Sequence, residues 1–403
     1  MNYDLSLRLQ TCLDALTPLQ TVADVGTDHA YLPCVGILNG KIKKAIAADI
    51  GVGPLEAAKA TIARYHLNEQ IETRLGPGLT VLKPSEVEGV VIRFSASSDE
   101  AVEDAKKVCD KFGIRLHIAD AQEAFQKYVV TPFCENYVSG MTPNPCIVCN
   151  PHVKFATIIA KADELGIGYI ATGHYAQVEK LGDRYFVKKA VSLAKDQSYM
   201  LYRLPQSVLS RLILPIGSYE KPDIRRLAGD IGLFNADKPD SQEICFIPDG
   251  NHGQFIENMG YKTKYGWFIS PEGKRVKRHL GVHNYTVGQR KHLGIALGKP
   301  AFVKEIQENG NILLGYAGDE YFTSVELSSP VYTKEQPFEE GSVFNVKIRS
   351  AAKGDDARVV YSDNDKIVLE FIQPVRAAAK GQSEVIYTDN YVMGGGFIAK
   401  AIQ

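Results

Sequence analysis

Four short strand-like segments, each ending on an apolar residue, mark the first quarter of the chain, at residues 21–25, 45–48, 71–75 and 89–92. Their length and the turn residues between them predict buried parallel strands. Apolar helical stretches lie between the first three, one ending at Leu38 and an alanine-rich one over 53–65. At 99–112 the period changes, and Val102, Ala105, Val108 and Phe112 fall on one side of a helix. A strand at 115–118, helices at 123–137 and 153–165, and a buried strand at 168–172 continue the β–α alternation. A helix-like region then runs to Leu212. Beyond Ala301 the period drops to two, at 344–348, 357–361 and 366–371, with Gly and Asp turns between, which predicts an antiparallel barrel or sandwich.

Composition bounds this picture without changing it. The 403 residues are 45% hydrophobic and 23% charged, as expected of a globular chain of about two to four domains. No run approaches the roughly 18 apolar residues of a membrane span, so no membrane partner is expected. Residues 1–11 lack the apolar stretch of a signal peptide. Seven cysteines, an odd number, do not suit a secreted disulfide framework, and a cytoplasmic protein is expected.

The net charge, 46 − 47 = −1, selects no partner. The distribution is more telling: residues 260–292 carry eight Lys/Arg against one acid, Glu272, with Tyr261, Tyr265, Trp267, Phe268 and Tyr285 interleaved. Cations meet phosphates and aromatic faces stack bases, so an RNA contact is one reading. A solvated basic face over ordinary core aromatics is the other.

Candidate chemistry concentrates in two proline-containing stretches. In Thr142-Pro143-Asn144-Pro145-Cys146-Ile147-Val148-Cys149-Asn150-Pro151-His152, the prolines fix their own φ and restrict the residues before them, predicting two thiols on a stiff loop. Cys245 sits in a similar stretch, Asp237-Lys238-Pro239-Asp240-Ser241-Gln242-Glu243-Ile244-Cys245-Phe246-Ile247-Pro248. Three readings are open: zinc held by Cys146, Cys149, His152 and Cys245, a redox or nucleophilic thiol pair at a helix start, or thiols without chemistry.

Longer strings carry resemblances. Ala23-Asp24-Val25-Gly26-Thr27-Asp28-His29, then Ala45-Ile46-Ala47-Ala48-Asp49 and Arg74-Leu75-Gly76-Pro77-Gly78-Leu79, resemble the N-terminal half of bacterial tRNA adenine-N1 methyltransferases. That implies an S-adenosylmethionine cradle at Asp24, Gly26 and Asp49. An acid at the end of the second strand is where such a ribose is gripped. The family's later active-site turn is missing, since Val90-Val91-Ile92 runs straight into Arg93-Phe94-Ser95.

From about residue 92 onward the chain resembles the tRNA-specific 2-thiouridylases. The strings that carry this are Thr142-Pro143-Asn144-Pro145 with Cys149-Asn150 and Lys154-Phe155, Ala171-Thr172-Gly173-His174-Tyr175, Lys195-Asp196-Gln197-Ser198-Tyr199, Ser241-Gln242-Glu243-Ile244-Cys245-Phe246, and Tyr285-Thr286-Val287-Gly288-Gln289-Arg290. The resemblance implies ATP-dependent sulfur transfer to C2 of the wobble uridine, position 34, through a cysteine persulfide. It makes Cys149 the nucleophile and Cys245 the persulfide-exchanging thiol. Asn144, Pro145 and Cys146 become the target-base segment, and Gly173 and Ile92 contacts to ATP with Mg2+. His174, Lys195, Asp196, Gln197, Arg349, Ser350 and Gln382 become tRNA contacts. The implied partners are the tRNA anticodon stem-loop and a sulfur-relay donor or cysteine desulfurase.

Two departures from the family pattern matter. Many members have aspartate where this chain has Cys146; with Cys149 and Cys245 it would make three thiolates, a set suited to a 4Fe–4S cluster. The family's opening Ser-Gly-Gly-x-Asp-Ser loop, whose amides cradle the ATP pyrophosphate, occurs nowhere in the chain, which predicts impaired activity.

The expected fold is therefore an α/β doubly wound parallel sheet, a hybrid of Rossmann-like and adenine nucleotide alpha hydrolase-like halves. A small central domain and a C-terminal antiparallel β-barrel follow. The expected boundaries are a methyltransferase-like segment at 1–92, a catalytic α/β domain at 93–212 to which the loop 235–250 returns, a central tRNA-binding domain at 213–323 and the barrel at 324–403. Two other functions stay open: a catalytically inactive tRNA-binding fusion relic, and an S-adenosylmethionine-dependent tRNA methyltransferase.

Overall fold

The computed structural model describes residues 9, 12–13, 19–27, 29–76, 82–83, 86–95, 98–237, 244–247, 249–376 and 378–402. Asp28, Pro77-Gly78-Leu79 and Ser241-Gln242-Glu243 of the motifs above lie outside the described residues, as does most of the 1–11 stretch. The chain forms two compact units, residues 1–90 with 103–117, and 91–102 with 118–403.

In the first unit, strands β1 (Leu19–Val25), β2 (Ile42–Asp49) and β3 (Ile71–Leu75) form a parallel sheet in that order. Helices α1 (Tyr31–Leu38) and α2 (Val52–Arg64) make the crossovers. Ala45 and Ala47 of β2 pack with Cys34, Ala58 and Ile62, whereas Ile46 and Ala48 form a separate cluster with Leu82. A strand buried from Ala45 to Asp49 explains why its sequence is a continuous apolar run and not an alternating one. Strand β4 (Glu88–Arg93) pairs with β5 (Arg115–Asp120) in a sheet of two, with helix α3 (Asp99–Phe112) between them in sequence, and each of these three elements is divided between the first unit and the second.

The second unit holds the rest. Helices α4 (Gln122–Phe125) and α5 (Thr131–Val138) are joined by a π turn, Gln126–Val130, and α6 (Pro145–Cys149) joins α7 (Phe155–Glu164) through another, Asn150–Lys154. Each π turn contains or closely precedes a proline, Pro132 or Pro151. Proline has no N–H for the i−4 carbonyl, and widening the turn absorbs the missing bond. The expected stiff loop before residue 153 is thus corrected: both thiols lie on a helix that begins at Pro145.

Strand β6 (Ile170–Ala171) pairs in parallel with β9 (Leu212–Ile213), and the hairpin β7 (Ala176–Leu181) and β8 (Arg184–Lys189) lies between them in sequence. The helix-like region expected up to Leu212 is instead two 3-10 turns, Leu193–Lys195 and Ser198–Leu201, the short helix α8 (Gln206–Leu209) and β9. The expected classes are present, but the strands of the α/β part are shared among three small sheets. With two residues each, β6 and β9 offer too short a ladder for a continuous sheet.

Helices α9 (Lys221–Asp230) and α10 (His252–Asn258) lead into the central part. There β10 (Trp267–Ile269), β11 (Arg275–Arg278), β12 (Phe302–Ile306) and β13 (Ile312–Gly315) form a sheet in the order β11-β10-β13-β12. Strands β14 (Tyr321–Tyr332), β15 (Val343–Lys347), β16 (Asp355–Ser362), β17 (Lys366–Arg376), β18 (Ser383–Thr388) and β19 (Tyr391–Ile402) follow. They run in the order β14-β17-β16-β15-β18-β19, and β19 pairs back onto β14, closing a six-stranded antiparallel barrel. Val385 and Tyr387 of β18 pack outward into the helical core with Phe155 and Tyr199, while Ile386 points into the barrel core with Val346 and Ile398. That alternation docks the barrel on the thiol-bearing helices.

Candidate active site

Asn144 starts α6: its Oδ1 accepts the Cys146 N–H at 3.2 Å, with Pro145 as the first helical residue. The helix therefore begins where it does for local reasons, leaving Cys146 exposed on the first turn and Cys149 buried at the end. Met200 fixes the helix laterally, its carbonyl accepting from Asn150 Nδ2 at 2.9 Å and its sulfur from Asn144 Nδ2 at 3.6 Å.

Cys245 reaches the same place from far along the chain. Its neighbour Phe246 is caged by Phe125, Phe133 and Phe255, with ring centroids 5.4, 5.2 and 5.4 Å away. Ile247 is fully buried beside them, while Cys245 itself is exposed. The two residues after the thiol are thus the anchor that aims it.

Cys149 feels both other thiols, and Cys245 feels Cys146. Burial pushes Cys149 up to about 12, the Lys154 ammonium opposes this, and the charges of Cys146 and Cys245 raise it further. Cys245, although its surface is exposed, is raised by desolvation from the protein packed around it and then by Cys146, and is again lowered by Lys154. Cys146, likewise exposed, is raised by desolvation and lowered by Lys154. One cation therefore serves three thiols, placed by the π turn that follows Cys149. Among the described residues no group of three His, Cys, Asp or Glu is disposed to hold a metal ion.

His174 contacts this cation, with its Nε2 3.3 Å from Lys154 Nζ and its Nδ1 2.8 Å from Thr172 Oγ1. Beside it, a Cβ built on Gly173 would meet only Ile216 Cδ1, at 3.9 Å, so the backbone there is open to a ligand. Ile92 is half-buried against the core that holds Phe125 and Cys149.

The other expected contact residues divide by exposure. Asp196 has a buried side chain that accepts from the Ala190 N–H at 3.0 Å and the Ser198 hydroxyl at 2.7 Å. Gln197 Oε1 accepts from the Tyr175 N–H at 2.8 Å. Both spend their side chains on framing the loop. Lys195 is half-buried at the end of its 3-10 turn. Gln382 reaches back from the barrel to donate to the Thr142 carbonyl at 3.0 Å. Arg349 is exposed and donates to the Arg376 carbonyl at 3.2 Å, and Ser350 follows it, half-buried.

In the first unit, Asp24, Gly26 and Asp49 meet at the ends of β1 and β2. Gly26, at φ 81°, donates its N–H to the Ala48 carbonyl at 2.8 Å. Asp24 accepts from the Thr27 hydroxyl and Asp49 from the Gly51 N–H, each at 2.8 Å.

Sequence reasoning quoted Lys154 in a motif but gave it no role. The available signal was its place five residues after Cys149, one π turn on. Asn150 was likewise quoted without a role, and Met200, which holds the helix with it, gave no sequence signal.

Comparison with known proteins gives four domain matches. A tRNA methyl transferase HUP domain matches residues 59–249, a tRNA methyl transferase PRC-barrel domain 253–314 and an aminomethyltransferase beta-barrel domain 322–398. A methyltransferase domain matches 5–93, overlapping the first. The chain is 40% identical over 365 residues to a tRNA-specific 2-thiouridylase MnmA 1 of Clostridium tetani, covering 89% of this chain and 97% of that one. It is 38% identical over 351 residues to the tRNA-specific 2-thiouridylase MnmA of Acetivibrio thermocellus, covering 86% and 98%. Among solved structures, M. capricolum TrmK with S-adenosyl-homocysteine is 23% identical, covers 46% of this chain and 67% of that one, and has a TM-score of 0.22, too low to argue from.

Proposed function

The chain belongs to the tRNA-specific 2-thiouridylase family, and on that premise we propose that it forms 2-thiouridine at the wobble position of tRNA, with Cys149 and Cys245 as the working thiols. The observation that supports this most is that Cys245, aimed by the aromatic cage around Phe246, comes near enough to raise Cys149 electrostatically, with Lys154 acting on both. Cys245, exposed, receives a persulfide from a relay protein or cysteine desulfurase. ATP with Mg2+ supplies the adenylyl group that turns the uridine C2 oxygen into a leaving group.

The terminal persulfide sulfur attacks C2, the C2–O bond breaks and AMP departs. Cys149, as thiolate, then attacks Sγ of Cys245. The S–S bond to the transferred sulfur breaks, its electron pair closes the C2 thiocarbonyl, and a Cys149–Cys245 disulfide remains. An external thiol reductant reopens it. Lys154 lessens the cost that burial puts on ionising Cys149.

Asn144, Pro145 and Cys146 hold the target base, Gly173 and Ile92 face the nucleotide, and His174, Lys195, Arg349 and Ser350 meet the tRNA. Asp196, Gln197 and Gln382 shape the loops these use. With no Ser-Gly-Gly loop in the sequence, we infer weak ATP affinity and slowed turnover.

The test is tRNA thiolation by the purified protein with ATP, Mg2+ and a sulfide or persulfide source, read by thionucleoside analysis. Product that disappears in both Cys149→Ser and Cys245→Ser supports the assignment. No product at saturating ATP, with tRNA still bound, overturns it in favour of an RNA-binding relic.

A further inference from the structure

Where the central sheet meets the barrel, a cavity of about 260 Å³ is lined by Gly288, Arg290, Phe302, Glu320, Arg349 and Arg376. The three arginines come from separate places: the segment before β12, the turn after β15 and the end of β17. One carboxylate gathers two of them. Glu320 is only 6% exposed, and its Oε1 accepts from Arg290 Nη2 at 3.1 Å and faces Arg376 Nε at 3.4 Å. Its Oε2 accepts from the Gly318 N–H at 2.7 Å. Burial alone would raise this acid, but the Gly318 amide and the two guanidiniums hold it below the usual carboxylate range. Arg349 Nη2 donates to the Arg376 carbonyl, which adds the third guanidinium to the same wall.

The charge does not balance. Three guanidiniums against one carboxylate leave 3 − 1 = 2 positive charges in the lining. Arg290 and Arg376 stay about half exposed while Glu320 is buried, so the acid sits behind the arginines and their remaining N–H donors face outward. A guanidinium has five donors in a planar fork that matches two oxygens of a phosphate. Arg290 also lines a second cavity of about 410 Å³, formed by the loop from His292 to Ala301. Two adjoining recesses sharing one arginine suit a ligand with successive anionic groups.

We propose that Arg290, Arg349 and Arg376, positioned by Glu320, form a phosphate cradle for the RNA backbone, with Arg290 and Arg376 as new contact residues. This deepens the reading of the chain as a tRNA-modifying protein. Backbone phosphates position an RNA without reading its sequence, so the cradle sets the register in which the anticodon arm meets the thiols.

The experiment is tRNA binding by the full chain as a function of salt, for wild type, Arg290→Ala, Arg376→Ala, Arg290→Lys and Glu320→Gln. Removing one phosphate contact lowers affinity roughly tenfold and lessens the slope of log K against log salt by about 0.7 to 0.9. Arg290→Lys should keep the slope, because the charge stays, and lose part of the affinity with the fork. Glu320→Gln should weaken binding while thermal unfolding shows a folded chain. Unchanged affinity and slope in folded Arg290→Ala and Arg376→Ala would overturn the proposal. So would inorganic phosphate that protects Arg290 from dicarbonyl modification when tRNA does not, which would mark a free-anion site. Because binding is read without turnover, a chain that binds tRNA through Arg290 but makes no 2-thiouridine would refute the catalytic assignment and leave the cradle standing.

Discussion

Lys154 Nζ lies 3.3 Å from His174 Nε2, a contact that selects the tautomer of the imidazole. An ammonium only donates, so the imidazole accepts at Nε2, and its proton sits on Nδ1 against the Thr172 hydroxyl oxygen, 2.8 Å away. The histidine thus holds the cation beside the thiols without competing for a proton.

The first prediction concerns that cation. Lys154 lowers the pKa of Cys146, Cys149 and Cys245 against burial. Lys154→Gln should shift the alkylation pH profile of Cys149 upward by about one unit, a tenfold loss of rate at fixed pH near neutrality. Lys154→Arg should restore most of it. Iodoacetamide labelling followed residue by residue by mass spectrometry reads this; an unchanged profile would refute the role.

The second follows from His174, pushed down to about 3 by burial first and by Lys154 second. Its folded pKa is below the unfolded value of 6.5, so the unfolded chain binds the extra proton. The stability contribution is complete above pH 6.5 and declines as pH falls toward 3, by at most about 1.4 kcal/mol per unit. His174→Asn should flatten this part of the stability profile. Its imidazole NMR signals should show no titration between pH 5 and 8; a midpoint in that range would sink the argument.

Particular residues show how much was legible. The barrel strands were readable from two-residue alternation because one face of each packs inside, as Ile367 and Leu369 do. In the first unit β2 was readable as an apolar run because it is buried from Ala45 to Asp49. The thiol segment was misread as loop because proline is a breaker in most positions. At Pro145 it is the first helical residue, where its missing N–H costs nothing. The approach of Cys245 to Cys149 came from family resemblance; no local signal encodes the aromatic cage around Phe246. Glu320 had no signal at all, since a buried acid in a polar turn looks like a solvated one.

The third prediction separates framing from contact. Gln382 Nε2 donates to the Thr142 carbonyl, and the Thr142 N–H donates to the Lys380 carbonyl at 2.9 Å. Together they tie the barrel to the entrance of the thiol helix. Gln382→Ala should cost about 1 kcal/mol of stability and reduce kcat severalfold, with tRNA affinity within twofold of wild type. A large loss of affinity with kcat preserved would instead make Gln382 a direct tRNA contact.

The last prediction concerns Glu384, fully buried in β18, whose two carboxyl oxygens have no hydrogen-bond partner. Burial raises its pKa well above the ordinary carboxylate value, so the folded chain holds it as the neutral acid. Its neighbours Ser383, Val385, Ile386 and Tyr387 are equally buried. Below pH 4.5 both folded and unfolded states are neutral. Above it the unfolded chain loses a proton that the folded chain keeps, so stability falls as pH rises through and beyond that value. Glu384→Met, of similar length and without the orphaned oxygens, should gain about 1–3 kcal/mol at neutral pH. The gain should shrink toward pH 5, because the wild-type acid is less penalised there. Denaturant unfolding of both proteins at pH 5 and 8 measures it. The His174 contribution, which has the opposite sign and is common to both chains, cancels in the difference. A variant no more stable than wild type at pH 8 would mean that the carboxylate has a partner when ionised.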